Sequence, residues 1–337
     1  MDDRKQPQAC SSSLEMNNSL TMGRHHKERQ AGGASEPSSQ VLLIAETGVQ
    51  HEHITEKIPQ QLQHELDEAA KFKDEEAMHI VYTVCGETVK PEFLTSLKSL
   101  YLFAISSFVR GPSFYHIHVL SDGAIQPQDV AFLRPRSNFK ATIHPTYPNS
   151  TTLFKQCSTE RIYLHQHADF QGLNRVIYVD TDTLWLDDAV WWWTHFVHLR
   201  REQAAFGLAE ETNSGGSWYT NAPIPHYGER GLNAGVLMAS LEAVRASTFT
   251  FERDAIIDYY SPQGHLPLGD QDVLNIYGHY HPDQMYVMPC IFNFRYDSSC
   301  NQGQPVLVHG NRALKEKNHT SYSHLYTFFS KMQAPEL

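Results

Sequence analysis

RVIYVDTDTLW, residues 175–185, decides the fold. Val176 to Val179 is a β-branched and aromatic run, the composition of a strand buried on both faces. It leads straight into Asp180-Thr181-Asp182. In extended backbone residues i and i+2 share a face. Both carboxylates are therefore expected to project together from the strand's C-terminal end, where open α/β sheets place their ligands. Like charges held side by side raise one another's pKa. A divalent cation removes that cost, and hard oxygen ligands suit Mn2+ or Mg2+, which could in turn bridge a diphosphate. The plainer alternative is a solvated turn at a strand end.

Upstream of this stretch, HIVYTVCG (79–86), HIHVLSDG (116–123) and ATIHPTYP (141–148) read as further short strands. A helix-period stretch through Val109 and a polar helix after Pro127 separate them, and STERIYLHQH (158–167) reads as a helix capped by Ser158. Downstream, AAFGLAEE, LNAGVLMAS, MYVMPCIFNF and PVLVHG read as strands, with helices over 241–260 and 272–280. Alternating strands and helices imply an α/β class with a mixed, mostly parallel sheet flanked by helices. No GxGxxG follows the first strand and no GxxxxGK[ST] occurs, which removes the main support for a dinucleotide oxidoreductase or a P-loop NTPase.

The 337 residues carry 27 Lys+Arg against 38 Asp+Glu, a net charge of −11, which argues against a dedicated nucleic-acid binder. Residues 1–40 are rich in Ser, Asn, Gln and Gly and balance five basic against five acidic residues, the composition of a disordered tail. Residues 41–77 read as a helical lead-in and 78–330 as the catalytic-type domain. No run approaches the roughly 20 apolar residues of a membrane span. With five Cys, at least one thiol has no partner within the chain, and Cys290 and Cys300 are a pair open to an oxidising lumen. Many of the 20 His are expected at the surface, and any one alone reads as a surface or satisfied core residue.

Other candidates sit at strand and helix ends. His309 closes PVLVHG and is a possible metal ligand, with Gly310 allowing backbone to approach a phosphate and Arg312 and Lys315 placed to neutralise it. Gly269-Asp270-Gln271-Asp272 precedes a helix, so Asp272 could serve as a cap; Asp270 and Gln271 equally suit hydroxyls of a sugar. Asn233 is either a turn residue or a ligand donor. Thr83, Cys85 and Gly86 end the first strand, where a nucleotide base would sit, although Cys85 also fits as a small buried residue. Trp191–Trp193 are assigned to packing.

VDTD (179–182), LNAGVLM (232–238), GDQD (269–272) and VHGNR (308–312) occur in the order and spacing of the retaining glycosyltransferases of family 8, the glycogenin-like group, which this chain resembles over residues 79–312. Within that family the glucoside xylosyltransferases are the nearer likeness. It is carried by VCGET (84–88), FKQCSTERIYL (154–164), WYTNAPIPHYGERGLNAGV (218–236), MPCIFNFRYDSSC (288–300) and HGNRA (309–313). The resemblance implies a GT-A fold and a cation held by Asp180, Asp182 and His309. It implies a donor contact from Arg161, and Asn233, Asp270 and Gln271 around the transferred sugar; Thr83, Cys85, Thr181, Gly310 and Arg312 join Asp180 as candidate donor contacts by their places at strand ends. It further implies transfer of xylose from UDP-xylose, with Mn2+ or Mg2+, in α-1,3 linkage to O-linked β-glucose on EGF-like repeats of Notch-type proteins. The alternatives are another UDP-hexose transferase of the family or a non-catalytic sugar-binding relative. Many family 8 members carry HxxGxxK; here Gly310 follows His309 directly and Arg312 stands in that Gly's place, the form of the xylosyltransferase branch. The resemblance also implies a Golgi or endoplasmic-reticulum lumenal domain of a type II membrane protein, whose N-terminal anchor would lie upstream of Met1. The sequons at Asn149 and Asn318 agree with that setting.

Overall fold

A computed structural model of the chain describes residues 77–106, 114–133, 138–146, 153, 157–211, 217–311 and 319–333. The expected tail (1–40) and lead-in (41–77) lie outside these residues, apart from Ala77, which opens the first strand. Arg312, Lys315, Asn149 and Asn318 also lie outside them.

The strands are β1 (Ala77–Val84), β2 (Phe114–Ser121), β3 (Phe139–Pro145), β4 (Arg175–Val179), β5 (Thr183–Trp185), β6 (Phe206–Glu210), β7 (Leu232–Ser240), β8 (Met285–Met288) and β9 (Leu307–His309). The helices are α1 (Lys90–Ser106), α2 (Val190–Thr194), α3 (Phe196–Glu202), α4 (Leu241–Ala246), α5 (Phe249–Tyr260), α6 (Asp270–Tyr280) and α7 (Thr320–Lys331). Seven strands form one sheet in the order β3-β2-β1-β4-β7-β6-β8, and β5 pairs antiparallel with β9 in a second, two-stranded sheet. Pairings β3–β2, β2–β1, β1–β4 and β6–β8 are parallel; β7 runs antiparallel to both β4 and β6.

The period of two in β1 builds a core on each face. Met78, Ile80 and Tyr82 pack with Phe93, Leu97, Leu100 and Tyr101 of α1 and with Trp192 and Trp193 of α2. Val81 faces the other way, into a cluster with Val176, Tyr178, Phe249, Leu274 and Tyr277. Each such side chain fully buried contributes about 1.5–3 kcal/mol. The tryptophan triplet is thus used for packing, as expected.

Four readings differ from the structure. RVIYVDTDTLW is two strands in two sheets, because Asp180–Asp182 forms a turn that Thr183 closes by donating from Oγ1 to the Asp180 carbonyl at 2.8 Å. STERIYLHQH is a pair of 3-10 turns instead of a capped α-helix: Ser158 Oγ donates to Asp270 (3.1 Å), while Arg161 Nε donates back to the Ser158 carbonyl (3.0 Å). The segment after Pro127 holds a 3-10 turn at Ala131–Leu133, and only Met285–Met288 of MYVMPCIFNF is strand.

Several histidines serve as satisfied core residues. His79, His118, His144, His165, His167 and His309 are all buried. On the face of β1–β3 that carries Val81 and Leu120, one hydrogen-bonded line runs from strand to strand. It joins His79 Nδ1 to His118 Nε2 (2.9 Å), His118 Nδ1 to His144 Nε2 (3.0 Å), and His144 Nδ1 to Asp169 Oδ2 (2.8 Å). Burial lowers the pKa of both His79 and His116 to about 4, and drives His118 lower still. Cys290 pairs with Cys300, as the spacing allowed. Cys85 is not simply a small buried residue: it is bonded to Cys157, 72 positions away. In the chain-entropy picture a loop of that length contributes about 4 kcal/mol and the ten-residue loop about 3 kcal/mol.

Candidate active site

The C-terminal ends of β1 and β4 open onto a cleft lined by Thr83, Cys85, Arg161, Asp180, Thr181, Asp182, Asn233, Asp270, Gln271 and His309. Of the sequence-derived candidates within the described residues, Gly86, Gly269, Asp272 and Gly310 are not among these. The DxD backbone is tied from three sides. Asp180 N donates to the Gly235 carbonyl (2.8 Å), and the Asp182 carbonyl accepts from Gly310 N (2.7 Å) and from Tyr322 Oη of α7 (2.8 Å). The lack of a side chain at Gly310 serves this packing, because a Cβ there would meet the Tyr322 ring at 2.5 Å. A Cβ at Gly235 would likewise strike the His309 ring, so β7 passes directly against that imidazole.

Asp180, Asp182 and His309 offer three ligand atoms within 4.8 Å of one another. His309 Nε2 lies 3.8 Å from Asp180 Oδ2 and 3.5 Å from Asp182 Oδ1. The imidazole tautomer follows from a fixed backbone donor. Gly235 N–H donates to Asn233 Oδ1 (3.0 Å), which also accepts from Asn293 Nδ2 (2.8 Å). Asn293 therefore turns its Oδ1 toward His309 Nδ1 (3.0 Å), and that nitrogen must carry the proton. In the neutral ring Nε2 then carries the lone pair, and it faces two carboxylates. Three electron-rich atoms pointed at one space suit a hard divalent cation, with imidazole as the borderline member. The residues fit the group.

Arg161 offsets part of this negative charge. It donates from Nη2 to Asp180 Oδ1 (2.8 Å) and from Nη1 to the Ala234 carbonyl, and its Nε lies 2.7 Å from Asp270 Oδ2. Burial alone would lower its pKa, but the carboxylates of Asp180 and Asp270 outweigh that and raise it. Burial also pushes Asp270 up to about 6 despite the guanidinium beside it. Nε is aligned on the Ser158 carbonyl instead, so Asp270 Oδ2 is buried beside Arg161 without an aligned hydrogen-bond donor.

Gly269 precedes α6 and Asp270 begins it; Asp272 Oδ2 accepts from Leu268 N (2.7 Å) and its Oδ1 from Tyr219 Oη (2.8 Å). Gln271 Oε1 accepts from Ala234 N (3.0 Å), and its Nε2 donates to Glu211 Oε2 (3.3 Å), the same oxygen that Asn233 Nδ2 reaches at 2.8 Å. Glu211 is buried and paired with Arg295, which also holds Asp297 (3.1 Å). Sequence reading missed Glu211, Arg295, Asn293 and Tyr322. Glu211 and Arg295 are 84 positions apart, and no local motif joins them. The one available signal was unlike charge at the ends of two apolar runs.

No family model matches the chain. It is similar to glucoside xylosyltransferase 1 of Rattus norvegicus, 27% identical over 274 residues that cover 72% of this chain and 60% of that protein. Glucoside xylosyltransferase 2 of Xenopus laevis is 30% identical over 268 residues, or 71% and 61%. The chain thus spans about three fifths of the length of the curated relatives it matches. Among solved structures, mouse xyloside xylosyltransferase 1 in its apo form superposes with a TM-score of 0.55 at 19% identity, covering 70% of this chain and 98% of that one. Galactosyltransferase LgtC, complexed with donor and acceptor sugar analogues, gives 0.54 at 17% identity, covering 76% and 98%. The fold is GT-A.

Proposed function

We propose that this chain is a retaining glycosyltransferase that moves xylose from UDP-xylose, in α-1,3 linkage, onto O-linked β-glucose of EGF-like repeats of Notch-type proteins. The observation that carries the reading is the bare His309 Nε2 aimed with Asp180 and Asp182 at one space, at the strand ends where a GT-A fold binds its donor. Likeness to the glucoside xylosyltransferases supports the choice of sugar and acceptor. Mn2+ or Mg2+ held by Asp180, Asp182 and His309 would supply the charge that stabilises a departing diphosphate.

The protein groups then divide the remaining work. Arg161 ion-pairs with both Asp180 and Asp270. Asp270 helps orient the transferred sugar from the cleft wall. Gln271, locked by Ala234 and Glu211, presents its amide to the developing oxocarbenium-like carbon. Thr83, Cys85 and Thr181 line the nucleotide side; Arg312 and Gly310 are assigned to the diphosphate. Glu211 is committed to Arg295, Asn233 and Gln271, so it is poorly placed as a nucleophile. Retention therefore proceeds by front-face attack, with the acceptor hydroxyl giving its proton to the leaving phosphate. Two disulfides suit an oxidising lumen, and among the described residues no helix is long and apolar enough to cross a membrane.

The test is transfer to a synthetic O-glucosylated EGF-like domain with UDP-xylose, UDP-glucose and UDP-galactose in Mn2+. Pentose addition from UDP-xylose alone supports the proposal. Preferred hexose addition would make the chain a hexosyltransferase, and UDP-sugar binding without turnover a non-catalytic relative.

A further inference from the structure

Far along the sheet from the cleft, His79, His116 and His118 bring three imidazole nitrogens within 4.8 Å of one another, the other such group among the described residues. His79 and His116 are directly opposed in the parallel β1–β2 register, and His118 lies two residues on, on the same face. The tautomers are set from one end. Asp169 can only accept, so His144 carries its proton on Nδ1 and accepts at Nε2. His118 then donates from Nδ1 to His144 and accepts at Nε2 from the Nδ1–H of His79.

We propose that His79, His116 and His118 form a second cation site, separate from the Asp180–Asp182–His309 group, that takes a first-row transition dication of the zinc type. An all-imidazole donor set selects such ions over Mg2+ or Mn2+. The groups behind the ligands already have the arrangement such sites use, in which a ligating imidazole donates its other N–H to an acceptor that ends at a carboxylate. His118 does so through His144 to Asp169, and His116 Nε2 is held by Thr142 Oγ1 at 2.8 Å. Zinc bonded at 2.0–2.1 Å needs ligand atoms about 3.3 Å apart. His79 Nδ1 and His118 Nε2 stand at 2.9 Å as donor and acceptor, so a dication enters by releasing the His79 Nδ1 proton to solvent and opening the pair by a few tenths of an ångström. Lys140 and Arg175 act on the cluster from β3 and β4 and oppose a dication. Bound metal would staple β1 to β2.

The experiment uses the full chain carrying Asp182→Asn and His309→Gln, which disables the cleft site, stripped with chelator and titrated with Zn2+ by calorimetry. One equivalent is expected, with Co2+ giving the visible absorption of a tetrahedral nitrogen site. Adding His116→Gln should weaken binding at least tenfold while circular dichroism stays unchanged. X-ray absorption on the zinc-loaded background protein, counting three imidazoles, keeps the question decidable should that triple variant misfold. No Zn2+ uptake in the background variant, uptake indifferent to His116, or an oxygen-dominated zinc environment would each overturn the site.

Discussion

Two buried polar regions share one sheet, and both are oriented by a relay that starts from an immovable group. In the cleft, the Gly235 N–H sets Asn233, then Asn293, then His309. In the histidine line, the Asp169 carboxylate sets His144, then His118, then His79. The relays differ in what they end on. The first ends at an imidazole facing two carboxylates, where Arg161 balances part of the charge. The second ends at the Nδ1–H of His79 among neutral rings, where hydrogen bonds alone offset burial. A buried charge is costly unless paired, whereas a neutral polar group needs only its hydrogen-bond partners.

The largest expected break falls on the charged region. Asp182→Asn keeps shape and removes one ligand charge, and should lower transfer by about a hundred- to a thousandfold, the range seen when one preorganised transition-state contact is lost. Steady-state rates in saturating Mn2+, with circular dichroism as the fold control, measure it. Near-normal turnover would place the cation elsewhere.

Arg161→Gln should destabilise the fold by about 3–5 kcal/mol, because it strands Asp180 and Asp270. Urea denaturation without metal gives the value. A much smaller loss at pH 5 than at pH 7 is the accompanying sign, since Asp270 carries a pKa near 6 and becomes neutral there.

Acid then separates the regions by sign. His79 and His116 have folded pKa values near 4 against 6.5, so their contribution is present above pH 6.5 and is lost as pH falls toward 4. Asp272 is raised by burial from 3.8 to about 6, so its contribution improves as pH falls through that window. Melting temperature should drop between pH 7 and 4.5, at roughly 2–4 °C per kcal/mol. His116→Gln should shrink the drop and Asp272→Asn should enlarge it. Equal effects of both variants would contradict the contrast.

The smallest effect concerns the sugar. A hydrogen bond to a charged group is worth about 1.5–3 kcal/mol, so Asp270→Asn should cost about tenfold in kcat/KM for UDP-xylose. Calorimetry should find UDP affinity nearly unchanged. A large loss of UDP affinity would assign Asp270 to the framework that holds Arg161.

Strands were legible in the sequence because apolar runs of β-branched residues have few other uses. The cleft was legible because its chemistry sits at strand ends in short motifs. The turn inside RVIYVDTDTLW was not, although two Asp and a Thr beside it are turn formers; the apolar residues on both sides masked them. Ser158 was read as a cap because its neighbours look helical, while its hydroxyl is engaged by Asp270, 112 positions away. The histidine line could not be read at all. Its partners come from three strands and a turn, and alternation shows which residues share a face but not which strands are neighbours.

Tyr322 fastens the Asp182 carbonyl across 140 positions. That tie comes from α7, the last helix described, so the turn holding Asp180 and Asp182 is completed by residues that follow all the rest of the cleft in sequence. Removing α7 would keep Asp180, Asp182 and His309 in the chain yet loosen the turn that sets their spacing.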